Sequence, residues 1–215
     1  MAKIKQGILG GFSGKVANVV GTSWKGRAVM KSQPLSVANP RTEAQQEQRG
    51  KFSKIAELAS AVLTQFVQPV ENPISGNISG YNLFCKDNKG AFNASGKLVA
   101  ADFVAGGGKI INLESVECSL APNQDEPQVE WGNSEGLSAI RLTDKVYALL
   151  VSEDGSIIFA NNESATREVE VLNLALVKGV ATYAAGTKFM LLTACVSADG
   201  RDVSVKTTAT TITAA

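Results

Sequence analysis

Apolar residues follow a helical rhythm in one stretch of the chain and a strand rhythm in another. Phe52, Ile55, Ala56, Ala59, Val62, Leu63 and Phe66 recur every three or four positions, which lines one face of a helix. Thr42 followed three residues later by Gln45 forms a capping box, Glu43 opposes the helix dipole, and Pro69 marks an end. The spacing predicts an amphipathic helix from about Glu43 to Gln68. Its first two turns, EAQQEQRGK, are almost wholly polar and must be solvated or meet a polar partner. A shorter helix is predicted over Tyr81–Lys89. Tyr81, Phe84 and Cys85 share its inner face, which packs across the first helix, although Gly80 and Asn82 are poor helix formers.

Ahead of the long helix, KVANVVGTSW (Lys15 to Trp24) and RAVMKS carry the Val, Thr and aromatic content of strands, and Lys25-Gly26 between them suits a two-residue hairpin turn. Both strands also hold Gly, Ser, Asn and Lys. Such a ribbon has little apolar area and is marginal in water by itself. It has to lie on something, either its own domain or a neighbouring copy, because exposed strand edges are templates for pairing. The prolines of QPLSVANP keep the following segment extended.

Glycines 106 to 108 read as a joint, after which the period changes to alternation. QVEW, KVYALLVS, SIIFA, REVEVLNLAL, KFMLLTACVS and DVSVKTTATTIT are short and rich in β-branched residues, and Asp154-Gly155 and Asp199-Gly200 are hairpin-turn signals. The expected fold class is therefore mainly β with α (α+β): a hairpin arm and two helices over residues 1–104, then an antiparallel β-sandwich over 105–215. Core candidates are Trp131, Val146, Leu149, Val169, Val171, Leu191, Ala194 and Val196. The order of Trp131, DKVYALLV and KFMLLTACVSADGRDVS resembles fibronectin type III and immunoglobulin-like modules. The tyrosine such modules carry near the start of the penultimate strand is replaced, with Phe189 nearest.

Composition narrows the chemistry. The chain has no histidine, which excludes Ser-His-Asp triads, Cys-His pairs and His-based zinc helices. Cys85, Cys118 and Cys195 are widely spaced and odd in number, so they read as buried thiols and not as a metal clip or disulfide framework. GGFSGKV fails as a phosphate-binding loop: Leu9 stands where the first glycine belongs, Val16 where Ser or Thr belongs, and no apolar strand precedes it. Glu114, Glu117, Asp125, Glu126 and Glu130 are scattered, SEDGS lacks the spaced ligands of a calcium loop, and Asp199, Arg201 and Asp202 read as a solvated hairpin tip. No catalytic, cofactor-binding or metal residues are assigned, and the chain is not expected to be an enzyme. Lys and Arg number 21 against 20 Asp and Glu, so whole-chain charge gives no pull toward nucleic acid or anionic lipid, though it leaves room for a local patch. The opening GILGGF run is interrupted too early for a signal peptide, and no stretch is long and apolar enough for a membrane helix.

KIKQGILGGFSGKVANVVGTSWKGRAV and NPRTEAQQEQRGKF are similar to an uncharacterised family of bacterial and prophage-associated proteins. These share a GxxGGFSGKVGNVVG opening, an aromatic ribbon and an NPRTxAQQxQR helix start; Ala17 here replaces the usual glycine. The resemblance implies a structural component of a phage or phage-like particle, a tail, neck or capsid-surface subunit assembled in the bacterial cytoplasm and expected to assemble through its N-terminal ribbon and helix. Its expected partners are copies of itself and other particle proteins, with no nucleic acid, membrane or small-molecule substrate. The expected subunit interface is Val19, Val20, Trp24, Arg27, Asn39, Arg41, Gln45 and Arg49, with Trp24 as its aromatic anchor. The alternative is a carbohydrate- or protein-binding sandwich module, which would require exposed aromatics among Trp131, Tyr147, Phe159, Tyr183 and Phe189.

Overall fold

The computed structural model describes residues 3–4, 11–24, 26–36, 38–132, 142–161 and 165–215, without the side chains of positions 3, 4 and 24. The chain divides into two compact units, Met1–Thr42 and Glu43–Ala215. The expected boundary near residue 105 falls inside the second unit. The reason is that the helices share their core with the central strands and have none of their own.

The first unit is an antiparallel meander of β1 (Lys3–Ile4), β2 (Phe12–Val16), β3 (Val19–Trp24) and β4 (Arg27–Ser32), in that order. The expected hairpin is present, with Trp24 paired to Arg27 and Gly26 at φ 78° in the turn. The stretch expected to run unbroken from Lys15 to Trp24 instead turns at Ala17-Asn18, so that Val16 pairs with Val19 and Lys15 with Val20.

In the second unit, α1 (Glu43–Ala61) starts where the capping signals place it, and its first residues are exposed. At Val62 the period changes. The N–H of Val67 reaches back five residues to the Val62 carbonyl, making a π turn over Leu63–Val67 that leads into α2 (Gln68–Glu71). Pro69 therefore does not end the helical run, because it occupies the first turn of α2, where a missing N–H costs little. The second predicted helix is α3 (Gly80–Asp87), capped by the Ser79 hydroxyl accepting from the Asn82 N–H, with Phe84 and Cys85 buried and α1 alongside.

The remaining chain forms β5 (Val104–Ala105), β6 (Glu114–Ser119), β7 (Gln128–Gly132), β8 (Lys145–Ser152), β9 (Ile158–Asn161), β10 (Ala165–Thr166), β11 (Val171–Lys178), β12 (Lys188–Val196), β13 (Thr207–Thr208) and β14 (Thr210–Thr213). One antiparallel path runs β14-β12-β8-β9-β11-β7-β6. It folds back on itself at β11, whose Val171–Asn173 pair with β7 and whose Leu174–Lys178 pair with β9. Trp131, Leu150, Phe159, Leu172, Leu174 and Leu191 fill the space enclosed. The opposite face of β8, β9 and β12 presents Leu149, Val151, Ile158, Leu192 and Val196 to Ile55, Leu58, Val62, Phe66, Val70 and Phe84 of the helices. Three layers result: helices, a central sheet buried on both faces, and an outer sheet. Each large apolar side chain buried this way is worth about 1.5–3 kcal/mol.

Most predicted core positions are buried; Val171 is only half-buried and Val169 is 58 % exposed. Arg167–Val169 form a 3₁₀ turn and not a strand, and this turn directs Arg167 inward. There Arg167 Nε lies 3.8 Å from Asp144 Oδ2, Nη2 donates to the Ile111 carbonyl, and the Arg167 carbonyl accepts from Trp131 Nε1 at 3.0 Å. The aromatic hydroxyl missing near Phe189 is supplied by Tyr183. Its ring packs edge-on against Phe189 at 5.0 Å, and its hydroxyl bonds the Gln124 backbone.

Glu71 of α2 is buried, accepting the Gly106 N–H at 3.2 Å. Burial pushes its carboxyl from 4.5 up to about 7; nearby Asp87 adds to the rise, while the Gly106 N–H and Lys206 oppose it. A raised folded-state value means that the protonated form's stability is fully present below pH 4.5 and lost as pH climbs through 7, a swing of about 3 kcal/mol. Glu71→Gln keeps the acceptor for Gly106 and cannot ionise. Chemical denaturation of both proteins from pH 5 to 8 should show the variant gaining up to that amount relative to the parent.

Candidate functional site

Residue pairing sorts the ribbon's side chains onto two faces, because cross-strand partners share a face and neighbours along a strand alternate. Val20 stands between Lys15 and Lys31, and Thr22 pairs with Val29, so Lys15, Val20, Thr22, Arg27, Val29 and Lys31 share one face. Phe12, Val16, Val19, Ala28 and Met30 lie on the other, which carries no charge among the described residues. Phe12 lies across Gly21 so closely that a Cβ there would fall 2.5 Å from its ring. Gly11, set against Ala28, and Gly21 therefore serve close packing of backbone, as in other glycine-bearing strands. Along β4, the outer strand of the meander, every residue from Arg27 to Ser32 is exposed, Met30 at 71 %. Lys15, Arg27 and Lys31 are in no ion pair among the described residues.

The predicted interface residues separate in space. Val19 lies on the uncharged face, Val20 and Arg27 on the basic one, and the Trp24 side chain is outside what the structure describes. Asn39 and Arg41 sit in the exposed irregular segment before α1. Gln45 and Arg49 are one turn apart on α1 and exposed, and Arg49 with Gln48, Phe52, Ser53 and Ala56 lines a shallow concavity. Phe52, expected on the inner face, is half exposed there. Lys15 and Lys31 were missed by the sequence reading. Residues 1–42 hold Lys3, Lys5, Lys15, Lys25, Arg27, Lys31 and Arg41 without one Asp or Glu, a signal that the whole-chain total hides.

The other groups with chemical potential are committed to structure. Asp154 accepts from the Ser152 and Ser156 hydroxyls, and Asp199 from Ser197. The Ser197 hydroxyl holds the Asp199 carboxyl below its usual range. Desolvation raises all three thiols, Cys118 to about 11 and Cys195 to about 12, so they stay protonated at neutral pH. Among the described residues no three His, Cys, Asp or Glu side chains gather as a metal site, and no helix is long and apolar enough to cross a membrane. Trp131, Phe159, Tyr183 and Phe189 are buried and Tyr147 half-buried, so these rings are not displayed for a ligand.

Ala17 carries φ 49° at the first position of its two-residue turn, a conformation that glycine adopts without steric cost. Ala17→Gly should stabilise the ribbon by about 1 kcal/mol. Amide exchange across β2 and β3 would slow about fivefold.

No curated protein matches the chain. Residues 11–208, spanning most of the meander and nearly all of the helical and sandwich unit, match the model described as "Family of unknown function (DUF6266)", and the chain belongs to that family.

Proposed function

We propose that this protein is a structural subunit of a phage or phage-like particle, in the tail, neck or capsid surface, and that it assembles through its N-terminal ribbon. The observation that carries the reading is the ribbon's construction: a compact unit of short strands, ending in an edge strand exposed along its whole length. A sheet so poor in buried area gains stability mainly by being covered, and an open edge offers unpaired N–H and C=O groups to another chain. The prophage-like GGFSGKV and NPRT motifs support the particle setting.

The apolar clusters described for the second unit draw only on residues from Ile55 onward, so that unit keeps its core without the ribbon. Removing residues 1–38 should leave a protein with an unchanged cooperative melt. Light scattering over a concentration range should find the full chain in a discrete multimer or polymer and the truncated one as a monomer. Equal masses for the two would overturn the role given to the ribbon.

A further inference from the structure

Charge is segregated along this chain. Up to Thr42 there are seven basic residues and no acidic ones, and from Glu43 onward twenty acidic residues face fourteen basic ones. The same separation appears on two sheet faces. On the ribbon, Lys15 and Lys31 flank Val20 across three strands, about 10 Å apart at the usual strand spacing, with Arg27 on the same face.

On the second unit, Glu117 stands directly opposite Glu130 across β6 and β7, and Glu114 opposite Gly132. All three glutamates are exposed, while Cys118 and Val129 point inward. Like charges placed directly opposite each other destabilise a sheet. No cation pairs with these three among the described residues, and β6 is the last strand of its sheet.

We propose that the basic face of the ribbon, Lys15, Arg27 and Lys31, docks on the acidic outer face of β6 and β7, Glu114, Glu117 and Glu130, of a second copy. This rests on the assembly reading above and names the surface the ribbon takes. A second copy fits better than a nucleic acid because the chain supplies its own complement, an exposed acidic face to match the exposed basic one. The two patches are different surfaces, so the contact is heterologous and each copy presents one donor face and one acceptor face.

Charge reversal in the full chain tests this. Lys15→Glu with Lys31→Glu makes one variant, and Glu117→Lys with Glu130→Lys another. All four positions are exposed, and the second variant keeps a like-charged pair, so unchanged melts are expected. In 0.1 M salt by light scattering, each variant alone should associate at least about tenfold more weakly than the parent. An equimolar mixture of the two should recover the parent's mass, as should one chain carrying all four changes. Parent association should itself fall by about tenfold between 0.05 and 0.5 M salt as screening shortens.

Recovery in the four-change chain but not in the mixture would overturn the proposal in favour of a contact within one chain. Loss of association with the ribbon variant only would also overturn it. If that variant then fails to bind a single-stranded oligonucleotide that the parent binds, the basic face serves nucleic acid. If neither variant changes the mass of an assembling parent, the charged faces are wrong while the ribbon's role stands on the truncation result. A parent that is monomeric at every concentration overturns both.

Discussion

Strands β8, β9 and β12 must bury both faces, and the second unit is arranged to let them. A sheet apolar on one side needs a single cover. In these strands the residues on successive sides are equally apolar, Leu149 and Val151 facing the helices while Ala148 and Leu150 face the outer sheet. Without the helices one face would meet water, and without β6, β7 and β11 the other would. The two layers are therefore held by the same strands, and neither half of the second unit has a core that it could keep alone.

Much of this was legible, and the misses have physical causes. KVYALLVS reads as a strand because it is short and holds Val146, Tyr147 and Val151 within a continuous apolar run, the mark of burial on both faces. The helix start at Glu43 and the hairpin at Gly26 were fixed by local chemistry, which sequence reports directly. β6 was hidden because ESVECS is an acidic edge strand with one half-buried face, and its apolar content is too low to stand out. The turn at Ala17-Asn18 was hidden because an alanine stands where a glycine would have announced it. Nothing in the sequence singled out Arg167; only the fold shows Asp144, Ile111 and Trp131 converging on it from three separate segments. Local signals located the elements, whereas tertiary contacts decided which face each would show.

The interface residues illustrate the same limit. Val19 and Val20 are neighbours in sequence and so occupy opposite faces of β3, and a list of ribbon residues mixes two surfaces of different character. One is uncharged, with Phe12 folded over Gly21, and the other is basic. Register, which a hairpin turn sets and a sequence rarely reveals, separates them.

The π turn after Val62 has a bearing on how this family can vary. α3 lies against this helical run on both sides of the turn, while β8, β9 and β12 meet it at the turn and along α2. A regular helix would keep its apolar stripe on one bearing. The wider turn over Leu63–Val67 re-phases the stripe, so that Phe66, Val67 and Val70 are buried in the same core as Ile55 and Leu58. What must be inherited here is a residue count. Conservative exchanges among Leu63, Phe66 and Val67 leave the phase intact, whereas an insertion or deletion of a single residue rotates everything downstream by about 100°. The segment is thus open to substitution and closed to changes of length, the reverse of a surface loop.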